Sequence, residues 1–371
     1  MPRLIFHSSV LRALYVVAMG KAFLRYRNPR RRAAGRHQDA FYRRTWRQAA
    51  EAIGGEFTPL GPCMGEIRVG KARTRVVDNV SEIDDPVTLA VLHDKPLVHR
   101  ILRAEGLPVP QHAQFTLSDM EPAVQFLQAA GGDCVVKPAG GTGGGRGITT
   151  GIRTPWQLAR AAAAAAVYAD DLLIEKQVRG DNYRLLYLDG RLLDAYVRRL
   201  PSVIGDGRHT VRQLVEADND RRLATPAGIS QVLLTIDMDM RRTLASQGLS
   251  LRSVPAEGQR VILKTVVNEN SGADNRTVTH ELHPSIVEAG ERAVRALRAR
   301  FAGIDMILRD HRQPLDADDA VILEVNGTPN LYYHYNKADG SFPVAEHLLR
   351  RLLLLEDAPI STEREEVPVH A

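Results

Sequence analysis

The residues with the clearest chemical potential in this 371-residue chain are a lysine that precedes a run of glycines and three oxygen-bearing side chains far downstream. Val135-Val136-Lys137-Pro138 is followed by a segment in which six of the eight residues 140–147 are glycine. With no Cβ atoms in the way, backbone N–H groups approach phosphate oxygens closely, and a lysine at a strand end adds a point charge. The loop matches neither G-x-x-x-x-G-K-[ST] nor G-x-G-x-x-G, which excludes a Walker A loop and a dinucleotide fingerprint. Taken alone, it also fits a flexible surface turn.

The second group is Asp305, inside the apolar run Gly303–Met306, with Glu324 and Asn326 nineteen and twenty-one residues later. Glu324 and Asn326 are two apart, so a strand places them on one face. Two adjacent antiparallel strands would bring all three together. Two carboxylates and an amide oxygen suit Mg²⁺, which prefers hard oxygen ligands and shares its shell with phosphates. The alternative is an exposed acidic strand face, which the apolar flanks argue against because unpaired acids are costly there. A phosphate loop with a hard-cation site points to nucleoside triphosphate chemistry.

The elements that must carry these residues follow from periodicity and punctuation. Asp133 to Pro138 and Ile148 to Ile152 read as strands around the glycine loop. Thr154-Pro155 opens a helix through the alanine run 161–166. Leu172 to Val178 is a strand. Tyr183–Leu188 and Leu192–Arg198 form a hairpin about Asp189-Gly190. Helices are expected over Thr210–Arg222, Pro284–Arg300 and Ser341–Leu355, and strands over Val261–Val267, Phe301–Leu308 and Ala320–Val325. Asp84-Asp85-Pro86 starts a further helix, interrupted at Pro96. Interleaved helices and hairpins predict an α+β (mixed α/β) fold rather than a simple doubly wound sheet.

Composition sets the wider limits. Hydrophobic residues make up 44% and charged residues 25%, enough for two or three packed domains. The formal charge is +5, yet residues 1–50 hold twelve Lys/Arg against one acid, Asp39, which leaves the rest of the chain at −6. The basic character belongs to a leader, so no nucleic-acid partner is indicated. Two distant cysteines, Cys63 and Cys134, form no metal or disulfide pattern and fit a reducing, cytoplasmic setting. Cys134 reads as core. No apolar run is long enough to span a bilayer. Ser9–Phe23 reads as a helix on the body with a solvated basic linker after it, or, through residues 1–36, as a peripheral membrane or protein contact.

The ordered set of motifs resembles the ATP-grasp superfamily, and within it most closely the ATP-grasp module of cyanophycin synthetase. The resemblance covers roughly residues 85–335. It runs through Asp94-Lys95, Val136-Lys137-Pro138, Leu173–Arg184 (LIEKQVRGDNYR), Gly205–Thr210 (GDGRHT), Val254–Gln259 (VPAEGQ), Glu281–Pro284 (ELHP) and Glu324-Val325-Asn326. Composition and local pattern read as a leader of 1–40, a small α/β domain over 41–90 and a tail over 356–371; the resemblance implies a central lobe over 91–178 and a C-terminal lobe over 179–355. It also implies ATP as cosubstrate and two Mg²⁺ ions, or Mn²⁺ in their place, held by Asp305, Glu324 and Asn326. Lys95 and Lys137 would bind the phosphates, with Gly143, Gly144, Gly145 and Gly147 closing over them. Glu175, Lys176 and Val178 would form the hinge beside adenine, and Asp181 or Asn182 would meet ribose. Arg184 would face the phosphates or an acyl-phosphate. Lys264, Asn268 and Arg198 are further candidates for contacts to the reacting groups.

The implied reaction is an ATP-dependent ligation of a carboxylate to an amine, an amino acid or short peptide, through an acyl-phosphate, in a homo-oligomer. Alternatives are another ligation on the same scaffold, to a thiol or between D-amino acids, or a nucleotide-binding module without turnover. The glycine loop is one residue longer than in cyanophycin synthetase, and Lys264 stands where that family has Arg. The sequence has no Walker A loop, so the expectation is one ATP-grasp reaction and not a two-reaction polymerisation cycle.

Overall fold

The computed structural model describes residues 8–26, 29–140, 146–224, 233–316 and 320–354. Gly143, Gly144 and Gly145 and the tail 356–371 lie outside them.

Two helices lead the chain, α1 (Ser8–Tyr26) and α2 (Pro29–Ala52). Phe41, Tyr42, Trp46, Ala49 and Ala50 recur at helical spacing and are buried, so the second half of α2 is core. They pack with a four-stranded antiparallel meander of β1 (Glu56–Pro59), β2 (Met64–Val69), β3 (Ala72–Val77) and β4 (Val80–Ser81). Gly70, at φ +57°, makes the β2–β3 turn. The Trp46 indole N–H donates to the Asp78 carbonyl at 2.7 Å. One helix therefore runs across the expected boundary at 40/41, because the apolar face of α2 begins only after its arginine-rich start.

The central lobe begins with α3 (Pro86–His93) and α4 (Lys95–Ala104). The break falls at Asp94, two residues before the expected Pro96, and the 90/91 boundary lies inside α3. Asp94 is the N-cap, its carboxylate accepting from Leu97 N at 3.0 Å, and Pro96 fits the first turn, where its missing N–H has no partner to lose. Next come β5 (His112–Thr116), α5 (Glu121–Ala129), β6 (Cys134–Pro138), β7 (Thr149–Ile152), α6 (Pro155–Ala165) and β8 (Asp171–Lys176). The strands form an antiparallel sheet in the order β5-β8-β6-β7. The fully buried alanines Ala159, Ala161, Ala162 and Ala165 set α6 close on this sheet, and Cys134 is buried beside them.

The C-terminal lobe holds β9 (Asp181–Leu188), β10 (Arg191–Arg198), β11 (Ser202–Ile204), α7 (Val211–Ala224), α8 (Met238–Ser246), β12 (Arg260–Ile262) and β13 (Arg276–Thr277). It continues with α9 (Pro284–Ala296), β14 (Phe301–Leu308), β15 (Ala320–Asn326), α10 (Tyr332–Tyr335) and α11 (Val344–Leu352). Its main sheet is antiparallel in the order β13-β10-β9-β14-β15. Asp189 and Gly190, at φ +46° and +78°, make the β9–β10 turn the sequence predicts. The strand expected through Val267 stops at Ile262, and Val267–Glu269 is a 3-10 turn. Among the described residues no helix is long and apolar enough to cross a membrane.

Candidate active site

A cavity of about 900 Å³ is lined by residues of the central-lobe sheet and of the main C-terminal-lobe sheet. Lys95, Lys137, Glu175 and Lys176 reach it from the central lobe, and Asp181, Asn182, Asp305 and Glu324 from the C-terminal lobe. Val178 and Asn268 line it as well. Residues from 95 to 324 thus share one concave site.

The two lysines are brought together by backbone contacts. Lys95 begins α4, and its N–H donates to the Ala139 carbonyl at 3.2 Å, beside a bridge between Asp94 and Gly140. A Cβ on Gly140 would stand 2.7 Å from the His93 carbonyl oxygen, so glycine permits this approach. Gly147, at φ +80°, packs against Tyr168 at the other end of the loop. Lys137 Nζ lies 2.7 Å from Glu175 Oε1, both side chains being buried. The Glu175 carboxylate is therefore turned to Lys137, while Lys176 and Val178 form cavity wall.

The carboxylates lie in a row fixed by strand register. Tyr196 pairs with Arg184, Arg184 with Asp305, and Asp305 with Glu324, across four adjacent strands. Directly paired residues project to one face, so Arg184, Asp305 and Glu324 are neighbours and Asn326 joins them two residues on. Arg184 grips Asp305 with two hydrogen bonds, Nε to Oδ1 at 2.6 Å and a second to Oδ2 at 3.0 Å. Gly303 makes room for it: a Cβ there would stand 2.8 Å from the Arg184 guanidinium. Burial pushes the Asp305 carboxyl up, but Arg184 and Arg198 outweigh it and hold it below the usual carboxylate range. Asp305 is thus an anion. Asn326 Nδ2 lies 3.5 Å from Asp305 Oδ2, and Lys95 Nζ lies 2.9 Å from Glu324 Oε1. Two carboxylates and an amide on one face form a hard oxygen donor set that fits Mg²⁺.

The register shifts between Asp305 and Met306, leaving Leu323 as the extra residue of a β-bulge. Its carbonyl accepts from His99 Nε2 at 3.0 Å. His99 is fully buried, and its Nδ1 lies 3.9 Å from Glu175 Oε1. Burial lowers its pKa to about 4, so it is neutral at pH 7. Sequence reasoning missed this residue. The available signal was its i+4 spacing from Lys95, which puts both on one face of α4.

Other candidates are placed differently. Lys264 is not among the lining residues; it is buried between Asp237, at 2.7 Å, and Glu269, at 2.8 Å. Burial would lower its pKa, but these acids raise it, and the ammonium ties α8 to the turn that carries Asn268. Arg184 is likewise committed to Asp305 and does not line the cavity. Asn182 shares the strand face of Arg184, whereas Asp181 is half exposed, 3.6 Å from Arg199. Arg198 lines the cavity with its Nε buried and without a hydrogen-bond partner among the described residues. Arg179, Arg199 and Arg260 add to this cationic wall.

Two antiparallel α+β lobes facing across one cleft, with cations from one and a carboxylate row from the other, define a nucleotide-gripping architecture. No family model matches the chain. A cyanophycin synthetase from Nostoc sp. is 35% identical over 252 residues, covering 67% of this chain and 27% of that protein. The glutathione biosynthesis bifunctional protein GshAB of Mannheimia succiniciproducens is 28% identical over 262 residues, 69% of this chain and 34% of that protein. The crystal structure of a bifunctional glutathione synthetase from Pasteurella multocida superposes with a TM-score of 0.53 at 25% identity, covering 81% of this chain and 42% of that one. The chain belongs to the ATP-grasp superfamily, and its relatives include cyanophycin synthetases. It spans about a third or less of the length of the curated relatives it matches.

Proposed function

We propose that the protein is an ATP-dependent carboxylate–amine ligase that forms an amide bond through an acyl-phosphate. The observation that carries this reading is the convergence of Lys95, Lys137, Asp305 and Glu324 on one cavity. The named relatives are a cyanophycin synthetase and a glutathione biosynthesis bifunctional protein, which supports the same class.

In this reading Lys95 and Lys137 orient and neutralise the triphosphate, the hinge 175–178 meets adenine, and Asn182 meets ribose. Asp305, Glu324 and Asn326 hold one or two divalent cations. Bound Mg²⁺ supplies charge neutralisation at the transferring phosphoryl group. Arg184 holds Asp305 ionised and in place, taking a positioning role instead of touching the phosphates. The reacting carboxylate lies near Arg198, whose unpartnered Nε–H is a donor ready for an anion, and Asn268 lies beside it on the wall. The carboxylate attacks the γ-phosphorus, ADP leaves, and the amine then displaces phosphate from the acyl carbon. Positioning and charge account for the rate, with no protein nucleophile required.

The test is ADP release by the purified protein with Mg²⁺ and pooled amino acids and short peptides, followed by mass spectrometry of the product. Turnover that needs both an acid and an amine supports the ligase. Nucleotide binding with no amine-dependent turnover in any pool overturns it.

A further inference from the structure

We infer that α1 forms a docking surface for an anionic membrane, on which the helix lies parallel to the bilayer, with the basic composition of residues 8–36 favouring anionic headgroups. The inner side of α1 packs on α6, with Leu11 buried and Leu14 and Tyr15 against the same cluster. Its outer side is also apolar. Val16 and Val17 are 67% and 56% exposed, and Val10 and Met19 are exposed with them. A surface helix of a water-soluble domain normally turns charge outward, and an apolar outer stripe marks a contact.

Charge selects the occupant. Arg12, Lys21, Arg25, Arg27, Arg30, Arg31, Arg32 and Arg36 lie within residues 8–36, which contain no acid. A second copy docked symmetrically on this face would bring two such segments together, with like charges opposed. A bilayer rich in anionic headgroups neutralises the arginines and takes up the valines at the headgroup boundary. At 19 residues with three cations inside it, α1 is not apolar enough to cross, so it lies on the surface.

The experiment is co-sedimentation of the full chain with phosphatidylcholine vesicles, with and without phosphatidylglycerol. The expected result is binding only to the anionic vesicles at ~0.15 M salt and release at ~1 M. Replacing Arg30, Arg31 and Arg32 together by Gln should weaken partitioning about 100-fold. Val16→Asp with Val17→Asp should weaken it roughly 10-fold or more. The valines are exposed and distant from the cleft residues in sequence, so nucleotide affinity serves as the control for folding. No sedimentation with anionic vesicles, or equal binding to neutral ones, overturns the inference. So does a dimer in analytical ultracentrifugation that the valine substitutions dissolve while vesicle binding stays unchanged. Capture by an acidic protein surface without any vesicle binding would overturn it as well.

Discussion

Lys95 Nζ stands 2.9 Å from Glu324 Oε1, joining the first residue of α4 to the last carboxylate of the row on the C-terminal sheet. The pair links the phosphate-binding side of the proposed site to its metal-binding side. Glu324 is replaceable without disturbing a core, because it is about one-third exposed. Glu324→Gln should lower amine-dependent ADP release about 100-fold or more while the circular dichroism spectrum and melting temperature stay near those of the parent. Near-normal turnover in this variant would remove Glu324 from the metal assignment.

Gly303 tests the role of Arg184. A methyl group at this position meets the Arg184 guanidinium at 2.8 Å and Pro329 Cβ at 2.9 Å, and the proline cannot swing away as a flexible side chain would. Gly303→Ala should cost about 1–3 kcal/mol in urea unfolding. It should also reduce turnover by disturbing the Arg184–Asp305 pair. Unchanged stability and rate would show that Arg184 has room to spare.

The buried Lys137–Glu175 pair gives a double-mutant cycle. Glu175→Gln alone leaves an uncompensated buried ammonium and should destabilise by about 3 kcal/mol. Adding Lys137→Met should recover part of that loss, giving a coupling energy of about 1–3 kcal/mol. Strict additivity in urea unfolding would mean that the two groups ignore each other.

His99 provides a pH signature. Its pKa falls from the ordinary 6.5 to about 4 on folding, burial being the largest cause. Between those values the unfolded chain takes up a proton that the folded chain refuses. Stability is therefore full above pH 6.5, declines as pH falls, and the loss is complete below about pH 4, amounting to about 3 kcal/mol. His334, fully buried, is also lowered and adds in the same direction. The difference between the parent and His99→Gln over this range isolates His99. Parallel stability curves for the two proteins would rule out the buried neutral imidazole.

The legible features were those set within a few residues. The Asp189-Gly190 turn, the helix opened by Thr154-Pro155 and the shared face of Glu324 and Asn326 all follow from local dihedral preferences and from periods of 2 or 3.6. The break before α4 was legible too, although Asp94 was the stronger signal than Pro96 because a side-chain cap ends one helix and starts the next. The resemblance named the lysines and the oxygen donors, and the cavity is lined by Lys95, Lys137, Asp305 and Glu324 among them.

The sequence by itself determined the alternation of elements, the basic leader and the inventory of cations, carboxylates and glycines available for a site. Tertiary structure decided their partners. Arg184 and Asp305 are 121 residues apart, and only strand register makes them neighbours. The bulge at Leu323, the turn of Glu175 towards Lys137 and the capture of Lys264 by Asp237 and Glu269 were settled the same way. The physical reason is reach. Backbone preference is a property of adjacent residues, whereas the neighbour that satisfies a buried charge is set by how distant segments pack.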